Sequence, residues 1–238
     1  MTETKHRIPV ADGERVAAVH HEATGDEWLV FCHGFLSDKT GSYEHRCRRA
    51  VERGYDAVRF DFRGCGDSDG RFVEGTLSAK LTDLRAVLEY FDPQSVALFG
   101  SSFGGKVAFH AAATDDRVER VVTRAPVTYN RAFEAYRSIV EREGACQFDT
   151  GVRIDDRFFD DFDAYDFDAV ASSLSVPAAI FHGADDESVP LADSFEAAAA
   201  LETDVLLERF AGEGHRFSSA AEERLLERTF HWLGRPQS

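Results

Sequence analysis

Apolar positions along this chain fall into two periods. Near the start, Ile8 and Val10, the turn Ala11-Asp12-Gly13-Glu14 and then Val16 to Val19 predict an antiparallel hairpin. Beyond it, short apolar runs alternate with segments of helical spacing. Strands are expected at Trp28 to Cys32, Ala57 to Phe62, Val96 to Phe99, Val118 to Val122, Ala178 to Phe181 and Val205 to Phe210. Helices are expected at Tyr43 to Arg53, Leu77 to Phe91, Phe103 to Ala113, Leu191 to Leu201 and Ala220 to Leu233. With the hairpin this predicts an α/β fold, a mostly parallel eight-stranded sheet covered by helices on both faces. The rhythm breaks between Pro126 and Pro177, an interval of about fifty residues that is too long for an ordinary connection between a strand and a helix. Residues 127–176 are therefore read as an inserted cap. Its centre, Phe158 to Asp168, interleaves aromatics with carboxylates and lacks the Gly and terminal Glu of a calcium loop, so an acidic amphipathic segment laid over the core is expected rather than a metal site.

The chain has 238 residues, 43% of them hydrophobic, with no linker-like or repeated tract, so residues 1–238 are read as one domain carrying that insertion. No apolar stretch has the length of a signal peptide or a membrane span, which makes a cytoplasmic protein with no membrane partner the expectation. Cys32, Cys47, Cys65 and Cys146 show no metal-ligand spacing and are expected as free thiols. A net charge of −16 leaves no basic footprint for nucleic acid. The basic residues include only four lysines, Lys5, Lys39, Lys80 and Lys106, and the carboxylates are spread along the whole chain, a composition expected of a salt-adapted, halophilic protein.

The strongest local signal is Val96-Ala97-Leu98-Phe99, then Gly100-Ser101-Ser102-Phe103-Gly104-Gly105, then helical spacing from Lys106 to Ala113. Strand, G-x-S-x-G and helix stand in the order of a nucleophile elbow, and the spacing selects Ser102 over Ser101. A tight turn that merely joins strand to helix could also carry the motif; the flanking elements favour the elbow. Gly100 and Gly104 leave room for the sharp turn, and the helix that follows aims its positive end at an anion forming there. A serine needs a base, and the partners of such an elbow follow in chain order as acid and then His. Of the later histidines, His110 lies in the helix leaving the elbow and His231 within the last helical pattern. His215, in the turn Gly212-Glu213-Gly214-His215 after a strand, stands where open α/β sheets place active sites. The acid is expected in Phe181 to Pro190, where Asp185, Asp186 and Glu187 are equivalent by position. Oxyanion donors are expected at the backbone N–H groups of Phe103, next to the nucleophile, and Phe35, in the turn after Leu29 to Cys32. His33 is read as fixing that turn.

Over nearly its whole length the chain resembles the α/β-hydrolase superfamily. The resemblance rests on His33-Gly34-Phe35, Gly100 to Gly104, His182 to Pro190 and Gly214-His215. The third matches the family pattern H-G-x-x-D-x-x-V-P, which implies Asp186 as the acid. A fifth stretch, Phe60 to Gly70, resembles the structural loop of small carboxylesterases such as the feruloyl and cinnamoyl esterases. The resemblance implies a carboxylic-ester hydrolase with Ser102, Asp186 and His215 as triad, no cofactor or metal, a small-molecule ester as partner, and a monomer or homodimer. Two rivals share the fold: a peptidase or amidase of the prolyl-peptidase-related type, and a non-catalytic ligand-binding homologue. The cap, from Arg131 to Asp168, matches no pattern of the family, so it selects no substrate.

Overall fold

The structure, a computed structural model, describes residues 2–234. Strands β1 (Glu3–Pro9), β2 (Arg15–His21), β3 (Trp28–Cys32) and β4 (Asp56–Phe60) enclose helix α1 (Ser42–Val51). Helix α2 (Leu77–Phe91), β5 (Val96–Ser101), α3 (Phe103–Ala112) and β6 (Val118–Arg124) follow. Then come α4 (Glu134–Glu143), β7 (Ala145–Gln147), β8 (Arg153–Asp155), α5 (Asp156–Phe162) and α6 (Phe167–Ser173). The chain closes with β9 (Ala178–Gly183), α7 (Leu191–Ala200), β10 (Val205–Phe210) and α8 (Ser219–Leu233).

Eight strands form one sheet in the order β1-β2-β4-β3-β5-β6-β9-β10. Pairing is antiparallel for β1 with β2 and for β2 with β4, and parallel elsewhere in this sheet. The period-two alternation of the central strands explains why both faces are covered. In β3, Val30 and Cys32 turn to a layer holding Leu84 and Val87 of α2 and Val107 of α3, whereas Leu29 and Phe31 turn to Cys47 of α1 and Leu225 of α8. Apolar side chains on alternate faces of a strand cannot all be buried unless helices pack on both sides. Among the described residues no helix is long and apolar enough to cross a membrane.

Every strand and helix expected outside the cap is present, with displaced edges. The first strand begins at Glu3 rather than near Ile8 because it is a sheet edge: of its seven residues only Ile8 is buried, so most of it leaves no apolar signature. The insertion between β6 and β9 is a small α+β layer. Gly144, at φ 79°, ends α4 in the left-handed conformation, and the hairpin β7–β8 buries Cys146 opposite Ile154. The hairpin was not expected, since strands of three residues are too short to display a period. The Phe158–Asp168 segment forms much of two short helices, with Phe158, Phe159, Phe162 and Phe167 buried. Its flanking carboxylates act as caps: Asp155 accepts from the Arg157 N–H and Asp166 from the Ala169 N–H.

Candidate active site

Strand β5 runs into α3 through Ser102, which sits at φ 53° and ψ −118°, a region that a residue with a side chain occupies only under constraint. Its N–H donates to the Arg124 carbonyl at 2.9 Å, and its carbonyl accepts from the Gly105 and Val127 N–H groups at 2.9 and 3.0 Å. The turn closes only with glycine on both sides. A Cβ on Gly100 would lie 2.3 Å from the Gly104 carbonyl oxygen, and one on Gly104 would lie 2.2 Å from that of Cys32. Ser101, by contrast, is buried, and its hydroxyl accepts from Arg46 Nη1 at 2.9 Å.

The loops after β9 and β10 bring two side chains to Ser102. His215 Nε2 accepts from the Ser102 hydroxyl at 3.0 Å, while its Nδ1–H donates to Asp186 Oδ2 at 2.8 Å. The Asp186 carboxylate is fully buried, and its Oδ1 accepts from the Ser188 and Val189 N–H groups at 2.8 and 2.9 Å. Burial alone would raise its pKa. Hydrogen bonds from His182, His215 and the Val189 N–H outweigh that and hold it below the usual carboxylate range. His182, also buried, accepts from Ser194 Oγ at 2.7 Å and turns its Nε2–H to the Val189 carbonyl at 3.1 Å and Asp186 Oδ2 at 3.2 Å. Asp185 and Glu187 are exposed, so Asp186 is the carboxylate that reaches His215. His231 is exposed on α8, and His110 is buried against Tyr165 beneath the cap; neither approaches Ser102.

Phe103 is the first residue of α3, so its N–H has no acceptor within the helix, and the Phe35 N–H donates to no main-chain acceptor among the described residues. His33 braces the Phe35 turn from below. Its Nδ1–H donates to the Gly34 carbonyl at 2.9 Å and its Nε2 accepts from the Phe62 N–H at 3.1 Å. Burial, with Lys80 nearby, pushes the His33 pKa down to about 3, which keeps that ring neutral. The loop after β4 is held by Asp61, which accepts from Lys39 Nζ at 2.6 Å and the Asp67 N–H at 2.8 Å, while Ser68 Oγ donates to the Asp61 carbonyl at 2.7 Å.

A cavity of about 730 Å³ opens at Ser102, lined by Phe35, His215, Arg216 and Phe217 together with Tyr43, Arg46 and Arg124. Phe35 in turn meets Phe72, Phe103, Phe133, Phe148 and Phe158 at centroid distances of 5.1 to 5.8 Å, a wall built jointly by the core and the cap. Phe133 and Phe148 of the cap and the two arginines, buried Arg46 and partly buried Arg124, carry no signal in the sequence. Arg124 ends a strand next to the elbow strand, and only the pairing of Ser101 with Arg124 in the sheet reveals it. No group of three or more His, Cys, Asp or Glu among the described residues could hold a metal ion.

The family profile of the alpha/beta hydrolase fold matches residues 27–145. A mitochondrial palmitoyl-protein thioesterase of Homo sapiens is 26% identical over 220 residues, covering 83% of this chain and 70% of that protein. A quorum-quenching protein of Acinetobacter baumannii is 31% identical over 107 residues, 42% of this chain, and the match spans only 35% of that relative's length. Among solved structures, Est1E from Butyrivibrio proteoclasticus with ferulic acid bound superposes with a TM-score of 0.85 at 20% identity, covering 97% of this chain and 100% of that one.

Proposed function

The chain belongs to the alpha/beta hydrolase fold family, and on that premise we propose that it is a serine hydrolase cleaving carboxylic esters through an acyl-enzyme. One observation carries the reading: the continuous line Ser102 Oγ, His215 Nε2, His215 Nδ1, Asp186 Oδ2, with steps of 3.0 and 2.8 Å. Ser102 attacks the carbonyl carbon as His215 takes its proton. Asp186 fixes the ring tautomer and stabilises the imidazolium without itself accepting the proton. The oxyanion forms against the Phe35 and Phe103 N–H groups at the positive end of α3. His215 then returns the proton to the departing oxygen, and water repeats the sequence to release the acid. No cofactor takes part.

The aromatic wall supports an apolar acyl group, in keeping with the ferulic acid and palmitoyl groups in the names of the similar proteins. A thioester would pass through the same steps. Peptide hydrolysis draws less support: of the cap carboxylates, Asp161 accepts from the Ser78 N–H and Asp163 pairs with Arg137 rather than standing free for a substrate ammonium.

A fluorophosphonate probe and a panel of aryl esters, thioesters and aminoacyl amides test the reading. The wild type should label and prefer the esters. Ser102→Ala should do neither, while Ser101→Ala, altered only at a hydroxyl that receives Arg46, should keep most activity. A wild type that does not label is a binding protein; one that prefers aminoacyl amides is a peptidase.

A further inference from the structure

Resting on that reading, the side of Ser102 that receives the leaving group is defined by chemistry. His215 Nε2 must hand its proton to the departing atom, so the departing group lies on the His215 side, where the cavity of about 730 Å³ opens. The acyl group then points away from His215, toward the Phe35 ring and the aromatics behind it.

The cavity wall holds a cation, Arg124, that forms no ion pair of its own among the described residues; the anions whose charge reaches it are Glu222, which is paired with Arg46, and the triad carboxylate Asp186. Arg124 Nη1 donates to the His215 carbonyl, but Nε is buried with no partner, and no hydrogen bond from Nη2 is present among the described residues. Among the described residues its one ring contact is with Phe217, at 5.6 Å. The neighbouring Arg46 is satisfied: it pairs with Glu222, donates to Ser101 and lies over Tyr43 and Phe99. Of the three carboxylates lining the cavity, Glu222 and Glu223 are paired with basic side chains, and Asp38 keeps its charge. Glu222 is held by Arg46, Glu223 by His45 and Arg49, and Asp38 by the N–H and hydroxyl of Thr40. A guanidinium withdrawn from water normally has an anionic partner, because its planar fork matches two oxygens and its desolvation is costly when it stands alone.

We propose that this cavity is a subsite for an anionic oxygen group, carboxylate or phosphate, carried on the leaving-group side of the ester, with Arg124 as its ligand. The enzyme then acts on esters of acidic alcohols or phenols whose anion is bound beside the scissile bond. Arg216, exposed at the cavity rim, adds a second positive charge on the path of approach.

The test uses phenyl esters of one acyl group whose leaving phenol bears a carboxylate, a phosphate or the uncharged carboxamide, compared by kcat/KM at fixed salt. Wild type should favour an anionic ester by roughly tenfold, the scale of one charge-assisted hydrogen bond. Which anion leads identifies the source. Arg124→Gln should bring the ratio to one, and Arg124→Lys should keep part of it. Because Arg124 also holds the His215 carbonyl, the variants will lower activity on every ester; the ratio is the quantity that reports recognition. Equal rates in wild type, or a preference that survives Arg124→Gln, overturn the proposal. Calorimetric binding of the free carboxylate-bearing and phosphate-bearing phenols to wild type and both variants gives a readout that does not depend on turnover. Binding of either phenol to wild type that Arg124→Gln abolishes upholds the subsite even if no ester is cleaved, and that second result would count against the hydrolase reading alone.

Discussion

Asp186 and Asp185 are neighbours on one turn and differ in everything that matters to His215. The Asp186 carboxylate is sealed from water and accepts from two backbone N–H groups as well as from His215, whereas Asp185 is exposed, its N–H tied to the Glu213 carbonyl at 2.9 Å. We expect Asp186→Asn to cut kcat by about 10⁴-fold, because an amide can favour the wrong imidazole tautomer, and Asp185→Asn to leave it nearly unchanged. Measuring kcat for both, with circular dichroism as the folding control, checks this; a crippled Asp185→Asn would reverse the assignment. Lys106 makes a second case. It is buried in α3, its ammonium donating, among the described residues, only to the Thr128 carbonyl at 3.2 Å and lying 4.9 Å from the Phe162 ring centroid. Burial pushes its pKa down to about 7. Between that pH and the ordinary lysine value the unfolded chain binds more protons than the folded one, so stability rises with pH across the window and the penalty is full below it. Lys106→Met should therefore raise the thermal midpoint at pH 6 and lose that advantage by pH 10. An equal gain at both pH values would mean that the ammonium carries no penalty. Ser102 and His215 were legible because glycines punctuate both turns. Asp186 was legible only through a family pattern, since three adjacent carboxylates look alike, and Arg124 was not, since it joins the site through pairing between strands far apart in the chain.

At the scale of elements, legibility followed burial on two faces. Strands β3, β5 and β9 announce themselves because they are buried on both faces and open with continuous apolar runs, whereas β1 has one buried side chain and the β7–β8 hairpin is too short to alternate. Helix α4 was hidden for a related reason. Only Val140 is buried along it, so it presents a seam rather than a stripe. The cap is nevertheless bound to the core through rings. Phe158 meets Phe35, Phe103, Phe133 and Phe162 at 5.3 to 5.8 Å and is almost fully buried, while Ser78 of α2 bonds to both Asp161 and Tyr165. Phe158→Ala removes a ring shared by α5, the Phe35 turn and the first residue of α3. A truncation of this size in a packed core costs roughly 3 to 5 kcal/mol. We expect a lower thermal midpoint and a raised KM for esters of bulky acyl groups, with acetyl esters affected least. Chemical denaturation and a series of acyl lengths measure the two effects; a uniform fall in kcat with KM unchanged would separate the cap from acyl binding.

For the molecule as a whole, the informative fact is where the lysines are. Lys39, Lys80 and Lys106 are buried and only Lys5 is exposed, so the solvent-facing cations are nearly all arginines set among 43 carboxylates against 27 basic residues. Many arginines are paired, as in Arg131 with Asp193 and Glu196 or Arg117 with Asp115, yet a net charge of −16 remains on one compact body. Like charges held together by folding repel more in the native state than in the expanded chain, so screening should favour the native state. The Debye length falls from about 10 Å at 0.1 M to about 3 Å at 1 M, and most of that fall comes early. The thermal midpoint should therefore climb steeply with KCl up to roughly 1 M and then flatten, as the screening length drops below the spacing of neighbouring surface charges. Salt effects that act by exclusion from apolar surface behave differently: they grow steadily with concentration and depend on the anion. Melting curves in KCl and in potassium sulfate at matched ionic strength separate the two, since screening predicts that the early rises coincide. A midpoint flat between about 0.1 and 2 M would remove repulsion as a determinant of stability and with it the halophilic reading of the composition.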